Sequence, residues 1–435
     1  MKRVLLILLI LVVVLSAGCA QGPARQGPRG QGAVTTTTPT VTMAGGTVTV
    51  TTPAAGTIAA TTPTAAAAST AGPCTTLNPV VILVDFPDVE TRVDWAQVEQ
   101  RFNQQLDSYL QEMSYGKICL DADVTTKWYT LPHPVSEYRI SSRNLEVNRT
   151  RVRNLIEDAL DAADADVNYP EHSFTVLFLA ANTTEYGMVG LNGYPGMLGW
   201  TVLDEVVTSG GEKVPGGVAI YTYTAHLGTL FHDIAHILGG VKDGKRQVPC
   251  LYDHDLQALP GPDQDIFKAS IINMGYWDPM SCHYIEFGIP PPGICSWTRM
   301  RLGWLDPAKV RTVQKGERAE VLLGPLEDGT SETIAIRIPL TATTYYLIEN
   351  RQPIGVDRYL PDSGVLILYA DDSIDECRNG QAPVTLMNAD PAVPSLKGAA
   401  YDVGVHDEFV DNRNGIRIKV AEKIGDSYRI VIGAE

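Results

Sequence analysis

Two histidines lie four residues apart in an almost wholly apolar stretch, "TLFHDIAHILGG", from Thr229 to Gly240. The apolar residues and the final glycine pair predict a helix that ends near Gly239. One turn of such a helix separates His232 from His236, so both imidazoles lie on one face and can share a metal ion. The alternative is a histidine pair without a metal, because this spacing also occurs by chance.

The N-terminus has the composition of an export signal. "MKRVLLILLILVVVLSAGC" has a basic start, an apolar run from Val4 to Leu15, and small residues before Cys19. The run is shorter than the ~20 residues that a membrane-spanning helix needs, which predicts a secretory signal over residues 1–19. It resembles a bacterial lipoprotein signal, which implies an exported, membrane-anchored protein with lipid on Cys19. An ordinary signal peptide with a chance cysteine is the alternative.

Residues 20–76 are rich in threonine, alanine, proline and glycine, with almost no charge and no aromatic side chains. Such a segment cannot bury enough apolar surface to offset its conformational entropy, so it is predicted to be a disordered tether. The rest of the chain is long enough for a large core.

The net charge of −16 argues against nucleic acid as a partner, because polyanions repel an acidic surface. Seven cysteines are present, and six remain if Cys19 carries lipid. An even number outside the cytosol is compatible with disulfides. Cys282 and Cys295 are close enough in sequence to bridge a loop, but the pairing stays open.

Hydrophobic periodicity predicts an α+β fold. "NPVVILVDF" and "SFTVLFLAA" have the pattern of buried strands, and Trp95 to Met113 has helical spacing with Asp94 as its N-cap. A second helix is predicted around 147–163. Beyond about Leu305 the pattern changes to short strands separated by turns, which favours an antiparallel β-sandwich.

Several segments together resemble the immune inhibitor A family of secreted bacterial metallopeptidases. They are "VVILVDFPD", "YLQEMSYGKICLDADVTTKWYTLP", "IYTYTAHLGTLFHDIAHILGG", "MGYWDPMSCHYIEFGIPPPGICSWTRMRLGWLDP" and "YYLIENRQPIGVDRYLPDSGVLILYADD". The resemblance implies a zincin-like catalytic domain over 77–308, with a mixed sheet and an active-site helix, followed by a β-sandwich-like region over 309–435. It also implies zinc as the cofactor, proteins or peptides as substrates, and Met280 in a methionine turn beneath the metal. His283, just after that turn, is a candidate to stabilise the tetrahedral intermediate.

Two positions depart from the family pattern. Asp233 stands where the family has a glutamate base. Because aspartate is one methylene shorter, its carboxylate is withdrawn by about 1–1.5 Å. A general base works at about 2.6–3.2 Å from the group whose proton it accepts. The third metal ligand is displaced too. Asp243 is the first choice, one residue later than the pattern, and Asp253, His254 and Asp255 are further candidates. A family-like "PDLYD" reappears as "PCLYD", with cysteine at Cys250 in place of aspartate.

Three functions therefore compete. The leading hypothesis is an exported zinc endopeptidase with His232 and His236 as ligands and Asp233 as a base. The others are a non-catalytic zincin-like surface protein that acts as a binding module, and a hydrolase for another substrate. The acidic stretch "DGKRQVPCLYDHDLQ" is also a candidate for calcium, although an ordinary solvated loop explains it too.

Overall fold

The computed structural model of the chain describes residues 73–140, 147–187, 190–192, 206–257, 269–286 and 288–433. They belong to one compact unit, Ser69–Glu435. The unit combines helices with several sheets, so the predicted α+β class is confirmed. The predicted signal, Cys19 and most of the predicted tether lie outside the described residues.

The strands and helices are numbered in chain order. The strands are β1 (Thr75–Leu77), β2 (Val80–Asp85), β3 (Ile118–Leu120), β4 (Asp123–Thr130), β5 (Thr175–Leu179), β6 (Gly190–Asn192), β7 (Val206–Val207), β8 (Lys213–Val214), β9 (Val218–Thr222), β10 (Val241–Lys242), β11 (Lys245–Arg246), β12 (Val310–Thr312), β13 (Ala319–Leu323), β14 (Ala335–Pro339), β15 (Thr344–Arg351), β16 (Gly364–Asp371), β17 (Val384–Leu386), β18 (Glu408–Asp411), β19 (Ile416–Ile424) and β20 (Ser427–Ile432). The helices are α1 (Trp95–Gln100), α2 (Asp107–Met113), α3 (Val135–Tyr138), α4 (Arg149–Ala163), α5 (Thr183–Tyr186), α6 (Leu227–Gly239), α7 (His254–Gln257) and α8 (Ser296–Arg301).

A five-stranded mixed sheet forms the first half of the unit, in the order β4-β2-β5-β9-β6. The first four strands are parallel, and β6 pairs antiparallel with β9 at the edge. Alternate residues of β2 enter two different cores, because successive side chains of a strand point to opposite faces. Val81 and Leu83 pack with α1, α2 and α6, whereas Ile82 and Val84 pack with α4. The sheet is therefore covered by helices on both faces.

The predicted helix from Trp95 to Met113 is interrupted in the structure. Asp94 does cap its N-terminus, in a capping box with Gln97. Between α1 and α2, however, Arg101–Leu106 forms a π-helical turn. The buried side chains Val98, Phe102, Leu106 and Met113 still line one side, so the periodicity predicted the buried face but not the wider turn.

Two sheets build the second half. One has the order β12-β14-β15-β16-β17 and the other β13-β20-β19-β18. Their facing side chains share a core that contains Leu323, Ile348, Ile367, Ile418 and Ile430. This is the two-sheet arrangement that the strand pattern predicts. Not all of it is antiparallel, since β12 pairs parallel with β14.

The first of these sheets is covered on its other face as well. Leu347 of β15 and Leu366 of β16 belong to the same buried cluster as Trp277 and Trp297, which precede the sandwich in sequence. Burying a leucine side chain contributes about 1.5–3 kcal/mol. The two halves that the sequence separates at residue 308 therefore share one core.

Arg351, at the end of β15, is fully buried where the halves meet. Its guanidinium donates to the carboxylates of Glu327, Glu349 and Asp357 and to the carbonyls of Trp277 and Gly293, at 2.6–3.2 Å. These partners come from five separate segments of the chain. Burial alone would lower the pKa of Arg351, but the three carboxylates hold it well above its usual range, so the side chain stays charged.

We predict that Arg351→Met lowers the free energy of unfolding by about 3–5 kcal/mol, because it leaves buried carboxylates without their cation. Arg417→Met is the matched control, since it removes an exposed arginine paired with Glu408 at 2.8 Å and should cost about 0–1 kcal/mol. Denaturant unfolding of both variants measures the difference. An equal loss of unfolding free energy in the two variants would show that the buried network of Arg351 contributes no more to stability than an exposed ion pair.

One disulfide is present among the described cysteines, between Cys74 and Cys119. It crosslinks the residues just before β1 to the paired strand β3. The bridge considered between Cys282 and Cys295 does not form, and both thiols are buried and reduced. The Cys282 thiol instead donates to the carbonyl of Tyr284 at 3.0 Å.

Candidate metal centre

Helix α6 carries both histidines through the core of the first half. Its N-cap is His226, whose Nδ1 accepts from the backbone N–H of Gly228 at 3.1 Å. The other ring nitrogen, Nε2, donates to the carbonyl of Ile289 at 2.7 Å, so this histidine has a structural role. The chain leaves the helix at Gly240, which has a φ of 62°. Residues 228–237 are all buried, so the helix lies inside the protein rather than on its surface.

Two glycines of α6 allow neighbouring segments to approach closely. A Cβ on Gly228 would lie 1.7 Å from the carbonyl oxygen of His283, and one on Gly239 would lie 2.6 Å from the Val248 side chain. Neither position therefore tolerates a larger residue without movement of the neighbour. The close approach at Gly239 brings the backbone of Val248 beside His236.

Backbone carbonyls fix the two imidazole rings. His232 donates from Nδ1 to the carbonyl of Pro279 at 3.0 Å, and His236 donates from Nδ1 to the carbonyl of Val248 at 2.6 Å. A neutral imidazole that donates from Nδ1 has a lone pair on Nε2. The two Nε2 atoms face each other at 3.1 Å. Both rings thus direct acceptors, not donors, toward the same point.

The third group at this point is the thiol of Cys250. Its Sγ lies 3.5 Å from Nε2 of His232 and 3.4 Å from Nε2 of His236. In the part of the chain that the structure describes, these three residues are the one group of three or more potential ligands close enough to hold a metal ion. All three are buried, at 3% exposure or less.

The three distances fit the edges of a zinc coordination tetrahedron. Bonds of about 2.0–2.1 Å to nitrogen and about 2.3 Å to sulfur separate two nitrogens by about 3.3–3.4 Å and a nitrogen from a sulfur by about 3.5–3.6 Å. The measured edges are 3.1, 3.4 and 3.5 Å. Two imidazoles and a thiolate are also a donor set that suits zinc. The residues present therefore fit the ion, and three protein ligands leave a fourth position open.

The surrounding charges favour the thiolate form of Cys250. Burial alone would raise the pKa of this thiol, but the imidazoles of His236, His254 and His232 hold it well below its usual range. Burial lowers the pKa of His236, which favours the neutral ring that a metal requires. Burial would also lower the pKa of His232, but Cys250 raises it above its usual value. The electrostatics therefore favour the neutral ligand form at His236 and not at His232.

The structure does not bring the expected third ligand, Asp243, to the histidines. Asp243 is exposed, with a φ of 53°, in the turn between β10 and β11. The third potential ligand beside the two histidines is Cys250 instead of Asp243. The signal that could have found it was the "PCLYD" segment, which has a cysteine where the resembled family has aspartate.

The further ligand candidates form other contacts. The Asp253 carboxylate accepts from the backbone N–H groups of Asp255, Leu256 and Gly380 at 3.0 Å. Asp255 pairs with Arg378 at 3.0 Å. Among the described residues, the acidic stretch that was a candidate for calcium contributes no aspartate or glutamate to a metal-binding group.

Asp233 directly follows the first histidine and is buried. Burial raises the pKa of its carboxyl group to about 7, against the opposing effect of His232. Cys250 also raises this pKa, because the negative charge of its thiolate repels that of the Asp233 carboxylate. Asp233 therefore lies in the electrostatic environment of His232 and Cys250.

Met280 and His283 follow Pro279, whose carbonyl accepts from His232. Met280 is fully buried, its N–H donates to Asp278 at 2.7 Å, and its carbonyl accepts from Leu251 at 2.8 Å. The His283 ring centroid is 4.4 Å from that of His232, and its Nδ1 is 3.1 Å from the Thr229 hydroxyl. Burial, together with His232, holds the pKa of His283 well below its usual range. This imidazole is therefore neutral beside the candidate ligands.

No family model matches the chain, and no curated protein matches it. The resemblance to immune inhibitor A peptidases therefore stays a prediction from the sequence segments. The geometry of the three candidate ligands stands independently of that resemblance.

We predict that Cys250→Ser weakens zinc binding by more than the roughly 10–100-fold that loss of a partner of a ligand typically costs. Asp243→Asn should leave zinc binding unchanged, because its exposed side chain lies outside the ligand group. Competition with a chromophoric chelator measures both affinities. Loss of zinc in the Asp243 variant and retention in the Cys250 variant would restore the ligand set expected from the sequence.

Proposed function

We propose that the protein is an exported zinc metallopeptidase that hydrolyses peptide bonds in proteins. The observation that carries this proposal is the placement of two Nε2 atoms and one Sγ atom at three corners of a tetrahedron of the size that zinc requires. The mixed sheet with its antiparallel edge strand, the buried histidine helix and the adjacent Met280 turn support a zincin-like fold. The family resemblance of these segments supports the choice of peptides as substrates.

The chain's own residues divide the work of peptide hydrolysis. His232, His236 and Cys250 would hold the zinc, which supplies a Lewis acid and an activated water when bound. Asp233 accepts the proton of the attacking water and returns it to the leaving amine. His283, held neutral, donates a hydrogen bond to the oxygen of the substrate that gains negative charge.

A second candidate function, a non-catalytic binding module, is favoured by a specific observation. His232, His236 and Cys250 are 3%, 1% and 3% exposed, so little of the ligand group faces solvent. A thiolate ligand also neutralises part of the charge of the metal, and Asp233 is one methylene shorter than the expected base. Low exposure of the ligands is typical of a structural zinc site, since such a site does not require access for a substrate.

The position of the base separates the two functions. We predict that Asp233→Glu raises casein hydrolysis at least about tenfold, because a carboxylate within reach contributes about 10²–10⁴ in rate. Asp233→Asn should abolish activity, and both variants should keep their zinc because Asp233 is not a ligand. Zinc-loaded wild type and Asp233→Glu that are both inert would favour the binding module. A glutamate variant slower than an active wild type would indicate a site built around aspartate.

We also propose that Cys19 anchors the exported protein to a membrane through lipid. None of the described helices is long and apolar enough to cross a bilayer. The proposal is supported by the basic start, short apolar run and small residues before Cys19. Nucleic acid is not a proposed partner, given the net charge of −16.

The cysteine provides the test of that anchor. Cys19→Ser should release the protein into the soluble fraction or block its processing, because the serine hydroxyl replaces the thiol that would carry the lipid. Membrane fractionation and the mass of the mature chain report the outcome. A variant that is processed normally and stays on the membrane contradicts the lipid anchor.

A further inference from the structure

Strand β18 lies at the edge of its sheet. It pairs with β19 on one side, and none of the described strands pairs with its other side. The N–H of Val420 in β19 donates to the carbonyl of Asp407, just before β18, at 2.7 Å. Bonded and non-bonded pairs alternate along an antiparallel ladder. Phe409 is therefore bonded to β19, and the backbone groups of Glu408 and Val410 face the open side of the strand.

A cavity of about 440 Å³ opens beside this edge. Its walls include three aromatic side chains, Tyr346 of β15, Tyr369 of β16 and Phe409 of β18, together with the turn 410–414. The ring centroid of Tyr346 is 5.1 Å from that of Phe409 and 5.7 Å from that of Tyr369. Tyr369 and Phe409 are only partly buried against the core between the two sheets. Cavities of this size with aromatic walls are typical of ligand sites.

The turn that follows β18 is fixed by the Asp411 carboxylate. It accepts from the hydroxyl of Tyr346 at 2.8 Å and from the backbone N–H groups of Arg413 at 2.9 Å and Asn414 at 3.2 Å. Asp411 is the acidic side chain of the cavity lining, and these bonds satisfy it. The cavity is therefore preformed, and an apolar occupant does not have to displace an ion pair.

We propose that β18 and this cavity, together the edge pocket, bind an extended segment of an unfolded protein substrate. The segment adds a strand to β18 through the backbone of Glu408 and Val410, and places an apolar side chain against Tyr369 and Phe409. In this mode of recognition, main-chain hydrogen bonds give affinity and the pocket gives specificity. No residue of the cavity lining belongs to the candidate metal centre, so the edge pocket is a separate site.

The backbone of β18 determines the chemistry of the occupant. Donors and acceptors at the spacing of a strand match another backbone, and an unfolded chain offers such a backbone unpaired. The inference also rests on the proposed function, because the hydrolysis of proteins supplies the class of occupant. Its test is therefore a binding measurement that does not require hydrolysis.

The opposite edge of the same sheet provides a matched control. Gly433, just after β20, donates to Arg417 of β19 at 3.0 Å. By alternation, Ile430 of β20 faces β13 and is bonded to its partner Val321. Leu322 of β13, which is 55% exposed, therefore faces its open side as Val410 does. Among the described residues, no aromatic side chain lines the cavity beside Leu322.

The test measures casein binding by the purified full-length protein with Asp233→Asn, so that casein is not digested. Val410→Pro removes the outward N–H of an edge strand, where proline is tolerated, and should raise the Kd for labelled casein at least about tenfold. Leu322→Pro makes the same change on the other edge and should leave the Kd unchanged. Fluorescence anisotropy gives each Kd, and near-ultraviolet circular dichroism checks that each variant is folded.

A second variant tests the cavity without changing the backbone of β18. Tyr369→Ala removes one aromatic wall and should also raise the Kd for casein. With Asp233 intact, Val410→Pro should raise the KM for casein and leave its kcat unchanged, because the edge pocket takes no part in the chemical step. Hydrolysis of a short peptide that cannot reach β18 should not change.

The results separate the edge pocket from the proposed function. Casein that does not bind, or that binds folded Val410→Pro and Tyr369→Ala as tightly as their parent, would overturn the edge pocket and leave the peptidase standing. Equal weakening by Leu322→Pro would overturn it too, because the effect would then belong to the sheet as a whole. Zinc-loaded protein that binds casein through β18 without cleaving it would support the edge pocket and remove the peptidase.

Discussion

The candidate centre depends on two hydrogen bonds from imidazole Nδ1 atoms to backbone carbonyls. They turn His232 and His236 so that both Nε2 lone pairs face Cys250. Helical spacing alone places two histidines on one face, but it leaves the ring rotations open. The carbonyls of Pro279 and Val248 supply this missing constraint. A rotation of either ring would place an N–H donor where a metal ligand is required.

Those carbonyls are held in turn by the packing of distant segments. The Asp278 carboxylate accepts from the N–H groups of Met280 and Cys295, which fixes the turn that presents Pro279. Arg351, from the second half of the unit, donates to the carbonyl of Trp277 at the start of the same turn. The second half of the unit therefore helps to hold the turn whose Pro279 carbonyl orients His232. The two halves are therefore joined both by a shared apolar core and by the buried polar network of Arg351.

Local pattern predicted much of the fold and part of the centre. Hydrophobic periodicity predicts α6 and the buried strands, because the order of apolar and polar residues within a short segment reflects which of its faces are buried. It gives His232 and His236 for the same reason. Cys250 and the partners of Arg351 depend on how loops and strands from distant segments meet, which no local pattern encodes. Asp243 follows α6 by only a few residues, yet it lies in an exposed turn away from His232 and His236. Closeness in sequence therefore did not predict contact.

The disulfide between Cys74 and Cys119 has a mechanical consequence. Tension applied through the N-terminal segment enters the folded body at Cys74, and the covalent bond passes it directly to Cys119. The 45-residue loop that the bond closes contains β2, α1 and α2. A pull from the N-terminus cannot extend this loop while the bond is intact. Strand β2 of the main sheet is thereby removed from the line of force, and any elongation under load must begin elsewhere.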